Sequence, residues 1–253
     1  MSPPAVPALQ VGGVSKKFGA LTVASDINLT LPIGARHALI GPNGAGKTTL
    51  INMITGALRP DQGSIVLFGD DITSRAPTYT VPRGLVRTFQ ITSVFAKLPV
   101  WENLALAVGS RTGADRSLLR PLSQQTAVID EVAELIERVG LKADAMRAVQ
   151  ELPYGRQRLV ELALALALRP RVLLLDEPPA GVPSHETGQL LEVIDSLPES
   201  MSILMIDHDM DLVFKFARRI TVLVAGSVLT EGSCEEINSD HRVRDVYLGE
   251  GHR

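Results

Sequence analysis

The chain has 253 residues, of which 45% are hydrophobic and 21% are charged, and its formal net charge is −3. This length and apolar content suffice for one large α/β domain or two lobes. The slightly acidic balance argues against a basic surface for nucleic acid or for an anionic membrane. The single cysteine, Cys234, excludes an internal disulfide framework and fits a reducing compartment.

The charge and hydropathy pattern predicts neither a secretion signal nor a membrane span. The first seven residues lack the basic and apolar stretches of a secretion signal. The most apolar window, 159–175, is interrupted by Glu161, Arg169, Pro170 and Arg171, which a bilayer span would not tolerate. We therefore expect a soluble cytoplasmic protein that can still dock on a membrane protein.

The predicted elements begin with two antiparallel strands at 9–14 and 27–31, where apolar and polar residues alternate. A strand at 38–40 is followed by a glycine-containing turn and by a helix at 48–54. Another short strand is predicted at 64–68.

The central part of the chain has helical periodicity at 99–108 and 127–139, with a polar and basic loop or short surface helix at 109–125 between them. In the second helix five apolar residues share one face: Val128, Val132, Leu135, Ile136 and Val139. Strands at 171–176 and 202–206 then alternate with helices at 186–197 and 210–217, and a hairpin turning at Ala225-Gly226 spans 220–229. Strands that alternate with helices predict a mostly parallel sheet.

The most specific motif is a phosphate-binding loop, or P-loop. Its residues are Gly41, Pro42, Asn43, Gly44, Ala45, Gly46, Lys47, Thr48 and Thr49, which fit G-x-x-x-x-G-K-[ST]. The glycines let successive backbone N–H groups point inward at phosphate oxygens. Lys47 would reach the β- and γ-phosphates, and the Thr48 hydroxyl would ligate Mg²⁺.

Acidic residues and a histidine follow two of the buried strands. Asp176 would lie beside the Mg²⁺ shell, because ligands bind at the carboxyl ends of parallel strands. Glu177 would polarise the attacking water. His208 would reach the γ-phosphate or hold that water.

Two further residues are candidates for contact with a nucleotide. Gln90 would ligate Mg²⁺ and touch the catalytic water, so its position would report whether a γ-phosphate is bound. Phe18 would stack on adenine; an ordinary satellite core contact is the alternative.

The order of these motifs resembles the ATP-binding cassette (ABC) family over nearly the whole chain, and within it the ATPase subunits of branched-chain amino acid importers. Importers of related amides, urea or aromatic acids share these cues. The residues that carry the resemblance are Val86-Arg87-Thr88-Phe89-Gln90, Leu152-Pro153-Tyr154-Gly155-Arg156-Gln157-Arg158, Asp176-Glu177-Pro178-Pro179-Ala180-Gly181, His208-Asp209-Met210 and Val246-Tyr247-Leu248-Gly249.

The resemblance implies a RecA-like P-loop fold with a mostly parallel sheet, an N-terminal antiparallel β subdomain and an inserted helical subdomain. One domain would span 8–249, with a nucleotide-binding core at 8–88 and 161–249 and a helical subdomain at 89–160. The cofactors would be ATP and Mg²⁺.

The resemblance also implies partners. Two ATPase subunits would pair head to tail, so that Pro153, Tyr154, Gly155 and Arg156 would face the ATP bound to the partner's P-loop. Two membrane-spanning permease subunits would dock in a groove lined by residues 91–101, at the cytoplasmic face of the membrane. An extracytoplasmic solute-binding protein would take part indirectly.

The chain departs from the family at two places. The signature usually reads Leu-Ser-Gly-Gly-Gln, whereas Pro153 offers neither a hydroxyl nor an N–H. Arg156 could replace the lost donor with a charge-assisted phosphate contact. Pro183 stands where an Asp is usual. These changes favour pairing with a different ATPase; a tolerated variant in a working pair is the alternative.

Two other functions share part of this pattern. A soluble ABC ATPase acting on DNA or ribosomes usually carries two cassettes or long insertions, which this sequence lacks. An exporter ATPase would share every catalytic residue, so only the importer cues disfavour it.

Overall fold

The computed structural model describes residues 6–88, 94–114 and 125–248, apart from the side chains of residues 184, 185, 247 and 248. The strands are β1 (Leu9–Phe18), β2 (Leu21–Leu31), β3 (Arg36–Ile40), β4 (Gln62–Leu67), β5 (Asp70–Asp71), β6 (Leu85–Arg87), β7 (Val172–Asp176), β8 (Ser202–Ile206), β9 (Arg219–Val224) and β10 (Ser227–Gly232). The helices are α1 (Lys47–Thr55), α2 (Pro77–Thr80), α3 (Val100–Thr112), α4 (Thr126–Arg138), α5 (Tyr154–Ala167), α6 (Ser184–Asp195), α7 (Met210–Phe216), α8 (Cys234–Ser239) and α9 (His241–Leu248).

The chain packs as two compact units. The first contains residues 1–85, 171–176 and 199–253, and the second contains residues 86–170 and 177–198. Among the described helices, none is long and apolar enough to cross a membrane.

The first unit is built on two sheets. One sheet has the strand order β2-β1-β4-β5, and β1 pairs antiparallel with both of its neighbours. The other contains the order β10-β9-β3-β8-β7, in which β9, β3, β8 and β7 run parallel. The mostly parallel core and the antiparallel N-terminal sheet confirm the predicted fold class.

An apolar cluster packs between the two sheets and α1 of the first unit. It joins buried side chains of the antiparallel sheet, such as Leu9 and Ile65, to Leu50 and Ile54 of α1 and to Leu174 of the parallel sheet. Strand β7 is buried from Val172 to Leu175, and β8 is buried throughout. Such continuous apolar runs are typical of parallel strands covered on both faces.

The turn between β9 and β10 is the hairpin that the sequence predicts. Ala225 and Gly226 both have positive φ, at 47° and 79°, as a two-residue type I′ turn requires. A side chain at position 226 would meet the backbone of Val23 and Ala24, so glycine allows β2 to approach closely.

The second unit is helical apart from its first residues and its connections. The apolar face predicted for α4 is confirmed, because Val128, Val132, Leu135 and Ile136 are all buried. Helix α3 continues to Thr112, four residues beyond its predicted end, because Gly113 in the left-handed conformation closes it.

A buried histidine lies on β3 in the first unit. His37 is fully buried, its Nε2 is 2.8 Å from Thr221 Oγ1, and its Nδ1 has no hydrogen-bond partner. Burial lowers the pKa of His37 from 6.5 to about 4, although the charge of Glu231 acts in the opposite direction. The imidazole is therefore neutral in the folded chain at neutral pH.

This burial predicts an acid-dependent loss of stability. Below pH 6.5 the unfolded chain gains a proton on His37, and the folded chain does not until about pH 4. The free energy of unfolding should therefore fall by about 2 kcal/mol between pH 7 and pH 5 from this group. Urea denaturation at several pH values would measure it, with His37→Gln as the control that cannot titrate. Parallel pH profiles for the two proteins would contradict the prediction.

Candidate functional site

Three chain segments meet at the carboxyl edge of the parallel sheet in the first unit. Leu39 of β3 pairs with Ile206 of β8, and Asp176 of β7 pairs with the same Ile206. Because the strands are parallel and in register, the loop after β3, the end of β7 and the loop after β8 lie along one edge. The structure thus brings together three sequence-predicted groups: the P-loop, Asp176 and His208.

The P-loop packs closely against the backbone of β2 and β9. A Cβ atom on Gly41 would overlap the carbonyl oxygen of Leu223, and one on Gly46 would lie 2.5 Å from the carbonyl oxygen of Val23. Gly44 has open space around it but adopts a φ of 78°, which favours glycine. The N–H of Gly226 also donates to the carbonyl of Ala45 at 2.9 Å. The glycines are therefore needed for close approach as well as for the turn.

Lys47 folds back across this loop. Its side chain is buried, and Nζ donates to the carbonyl oxygens of Gly41 at 2.6 Å and of Pro42 at 3.0 Å. A positive charge thus lies inside the curve of the loop. Thr48, which is exposed, and Thr49, which is half-buried, follow in the first turn of α1. A helix N-terminus adds backbone N–H donors and a positive dipole end, so this segment suits an anion.

Asp176 is the last residue of β7 and Glu177 is the residue after it, and the two acids belong to different units. Asp176 is half-buried at the end of the strand. Glu177 begins the returning segment of the second unit and has a φ of 45°. For a residue other than glycine this conformation costs on the order of 1–3 kcal/mol, and strain of this kind clusters at functional sites.

His208 is held by the acid that precedes it. The His208 side chain is 64% exposed. Asp207 is buried, and its Oδ1 accepts hydrogen bonds from the backbone N–H groups of His208 at 2.7 Å and of Asp209 at 3.0 Å. Asp209 in turn caps α7 by accepting from Asp211 and Leu212. This contact of Asp207 was not predicted from the sequence, although an acid directly after a buried strand was an available signal.

Of the two other residues predicted to contact the nucleotide, Phe18 lies within the described residues and Gln90 does not. Phe18 is 52% exposed at the end of β1, and the ammonium of Lys16 lies 5.7 Å from its ring centroid. Its stacking on adenine stays a prediction. Gln90 lies outside the described residues, as do residues 91–93 of the predicted groove.

The signature residues start α5 in the second unit. Pro153 is the residue before the first helical turn, and the N–H of Gly155 donates to Glu186 Oε2 at 2.9 Å. Arg156 Nη1 donates to the carbonyl of Gly140 at 2.7 Å, and its Nε lies 3.7 Å from Asp144 Oδ2. The predicted phosphate contact of Arg156 stays a prediction and would require the side chain to turn away from these partners.

The donor groups at the sheet edge fit a magnesium ion that arrives with a nucleotide. Within the described residues, no cluster of three or more His, Cys, Asp or Glu side chains is placed to hold a metal. The exposed Thr48 and the half-buried Asp176 supply oxygen donors. Mg²⁺ prefers oxygen ligands and is commonly held by one or two carboxylates together with substrate phosphates.

Comparison with known proteins identifies the family. Residues 24–180 match the model of the family described as ABC transporter, which is more than half of the chain. The chain belongs to the ABC transporter family, and it is an ATPase of that family.

Individual relatives cover almost the whole chain. The high-affinity branched-chain amino acid transport ATP-binding protein LivG of Escherichia coli K12 is 38% identical over 251 residues, 96% of this chain and 98% of LivG. The corresponding BraF of Pseudomonas aeruginosa is 35% identical over 253 residues, with the same coverage of 96% and 98%. A solved ATP-binding cassette of an ABC transporter, MJ1267 in its ADP conformation, superposes with a TM-score of 0.83 at 27% identity, covering 96% of this chain and 99% of that one.

Proposed function

We propose that this chain hydrolyses ATP to drive the uptake of branched-chain amino acids, or of a related polar solute, through partner membrane subunits. The observation that supports the proposal is the parallel register of β3, β8 and β7, because the P-loop, Asp176 and His208 come at the carboxyl ends of these strands. LivG and BraF, which are named for branched-chain amino acid transport, support the solute class. These names favour transport over work on nucleic acid or ribosomes.

The P-loop residues would bind the phosphates of ATP. The N–H groups of 41–49 would donate to the phosphate oxygens, and Lys47 would exchange two carbonyl acceptors for the β- and γ-phosphates. Charge-assisted hydrogen bonds to phosphate are stronger than those to a neutral carbonyl. Thr48 and Asp176 would hold Mg²⁺, which offsets the negative charge of the phosphates when it is bound.

The other predicted residues would contact the reacting water, the γ-phosphate with its Mg²⁺, and the adenine ring. Glu177 would orient the water and accept its proton, while His208 would contact the γ-phosphate. Gln90 would ligate Mg²⁺ and sense the γ-phosphate. Phe18, exposed on its strand end, is available to stack on adenine.

The subunit would work in a larger assembly. Two membrane-spanning permease subunits and a second ATPase would complete it at the cytoplasmic face of the membrane, and an extracytoplasmic solute-binding protein would deliver the solute. We favour a different ATPase as the partner, because Pro153 lacks the usual donors. The contacts of Gly155 with Glu186 and of Arg156 with Gly140 support a weakened signature surface.

Replacement of Lys47 tests the transport function directly. Lys47→Ala should abolish ATP-dependent uptake of leucine into vesicles that carry the chain and its membrane subunits, because the phosphates lose their main cationic partner. Lys215→Ala is the matched control, since Lys215 is exposed in the same unit. Circular dichroism would verify that both variants fold. Undiminished leucine uptake by Lys47→Ala would contradict the proposal.

The choice of partner predicts an oligomeric state. Glu177→Gln should bind Mg-ATP without turnover, so that any ATP-bound pair accumulates. If the Pro153–Arg156 segment is too weak for self-pairing, light scattering after size exclusion should find a monomer both with and without Mg-ATP. Binding of a fluorescent ATP analogue would verify that the monomer is loaded. A dimer that forms only with ATP would show that the chain pairs with itself.

A further inference from the structure

The strained backbone of Glu177 needs support from its surroundings. A non-glycine residue with a φ of 45° persists only where neighbouring contacts fix it. A turn follows directly: Ala180 N–H donates to the carbonyl of Glu177 at 3.0 Å, and Val182 N–H donates to that of Pro179 at 2.9 Å. Anything that holds Ala180 and Gly181 therefore also limits how Glu177 can move.

The first turns of α5 hold this turn, and every contact lies within the second unit. The Tyr154 ring lies against Gly181: a Cβ atom there would be only 2.9 Å from the ring carbon Cε1. Gly181 has a φ of 77° and leaves room for the ring. An aromatic ring thus covers the backbone four residues after Glu177.

Arg158 ties the ring and the turn together. Its Nη2 donates to the Tyr154 hydroxyl at 2.6 Å and to the carbonyl of Ala180 at 3.4 Å. Its Nη1 donates to Glu161 at 2.8 Å, which fixes the guanidinium on its own helix. A second contact joins α5 to α6, where the backbone N–H of Gly155 donates to Glu186 Oε2 at 2.9 Å.

We propose that Tyr154 is a positioning residue for Glu177, acting through Gly181 and, with Arg158, through Ala180. The inference rests on the proposed function, in which Glu177 handles the reacting water.

Replacement of the ring should affect turnover and not nucleotide affinity. In the full chain purified with its membrane subunits, Tyr154→Ala should lower kcat for ATP about tenfold with KM unchanged, because the carboxylate is misplaced but the phosphate contacts remain. Tyr154→Phe keeps the ring over Gly181 and should recover most of kcat. A rise in KM with kcat unchanged would overturn the inference, because it would mean that Tyr154 serves nucleotide binding only.

A double-mutant cycle tests the contact itself. Gly181→Ala would push a methyl group into the Tyr154 ring and should lower kcat, but it should add little in the Tyr154→Ala background, where the ring is absent. Gly113→Ala is the matched control, with a similar φ of 74° and nothing within 4 Å; it should leave kcat unchanged. Additive losses from Gly181→Ala and Tyr154→Ala would overturn the inference.

The same assay separates this inference from the proposed role of Glu177. If Glu177→Gln stops hydrolysis while Tyr154→Ala turns over as fast as the unmodified protein, the positioning role alone is wrong. If Glu177→Gln hydrolyses ATP at the normal rate, the role of Glu177 is wrong and the positioning role falls with it.

Discussion

The in-register pairing of β7 and β3 with β8 is the constraint on which the candidate site depends. Asp176 of β7 and Leu39 of β3 both pair with Ile206, so the loops that follow these strands begin at nearly the same position along the sheet edge. Burial of β7 and β8 favours this register, because a slip of β7 by one residue would draw the carboxylate of Asp176 into the apolar layer. The apolar core therefore determines where the polar groups lie.

The P-loop shows how the same packing prepares an anion site. Its glycines allow the backbone of Val23 and Leu223 to approach, and this contact holds the loop in its curve. Lys47 places its charge inside the curve on two carbonyl groups. A preorganised loop of this kind would need little rearrangement on binding phosphates, because Lys47 would only change its acceptors.

Much of this arrangement could be predicted from sequence, because it depends on local or periodic signals. The P-loop follows a fixed spacing, the α4 face follows the helical period, and the β9–β10 turn follows from Ala225-Gly226. The contacts of Tyr154 with Gly181 and of Arg156 with Gly140 could not be predicted. They join residues far apart in the chain, and neither pairing leaves a periodic pattern or a motif.

Binding of the ATP phosphates at the sheet edge of the first unit can be tested by a crystal structure of Glu177→Gln with Mg-ATP. We expect Lys47 Nζ to leave the carbonyls of Gly41 and Pro42 for the β- and γ-phosphates, with Thr48 and Asp176 at the metal. A triphosphate bound away from residues 41–49, or Lys47 still on its carbonyls with ATP in place, would contradict it.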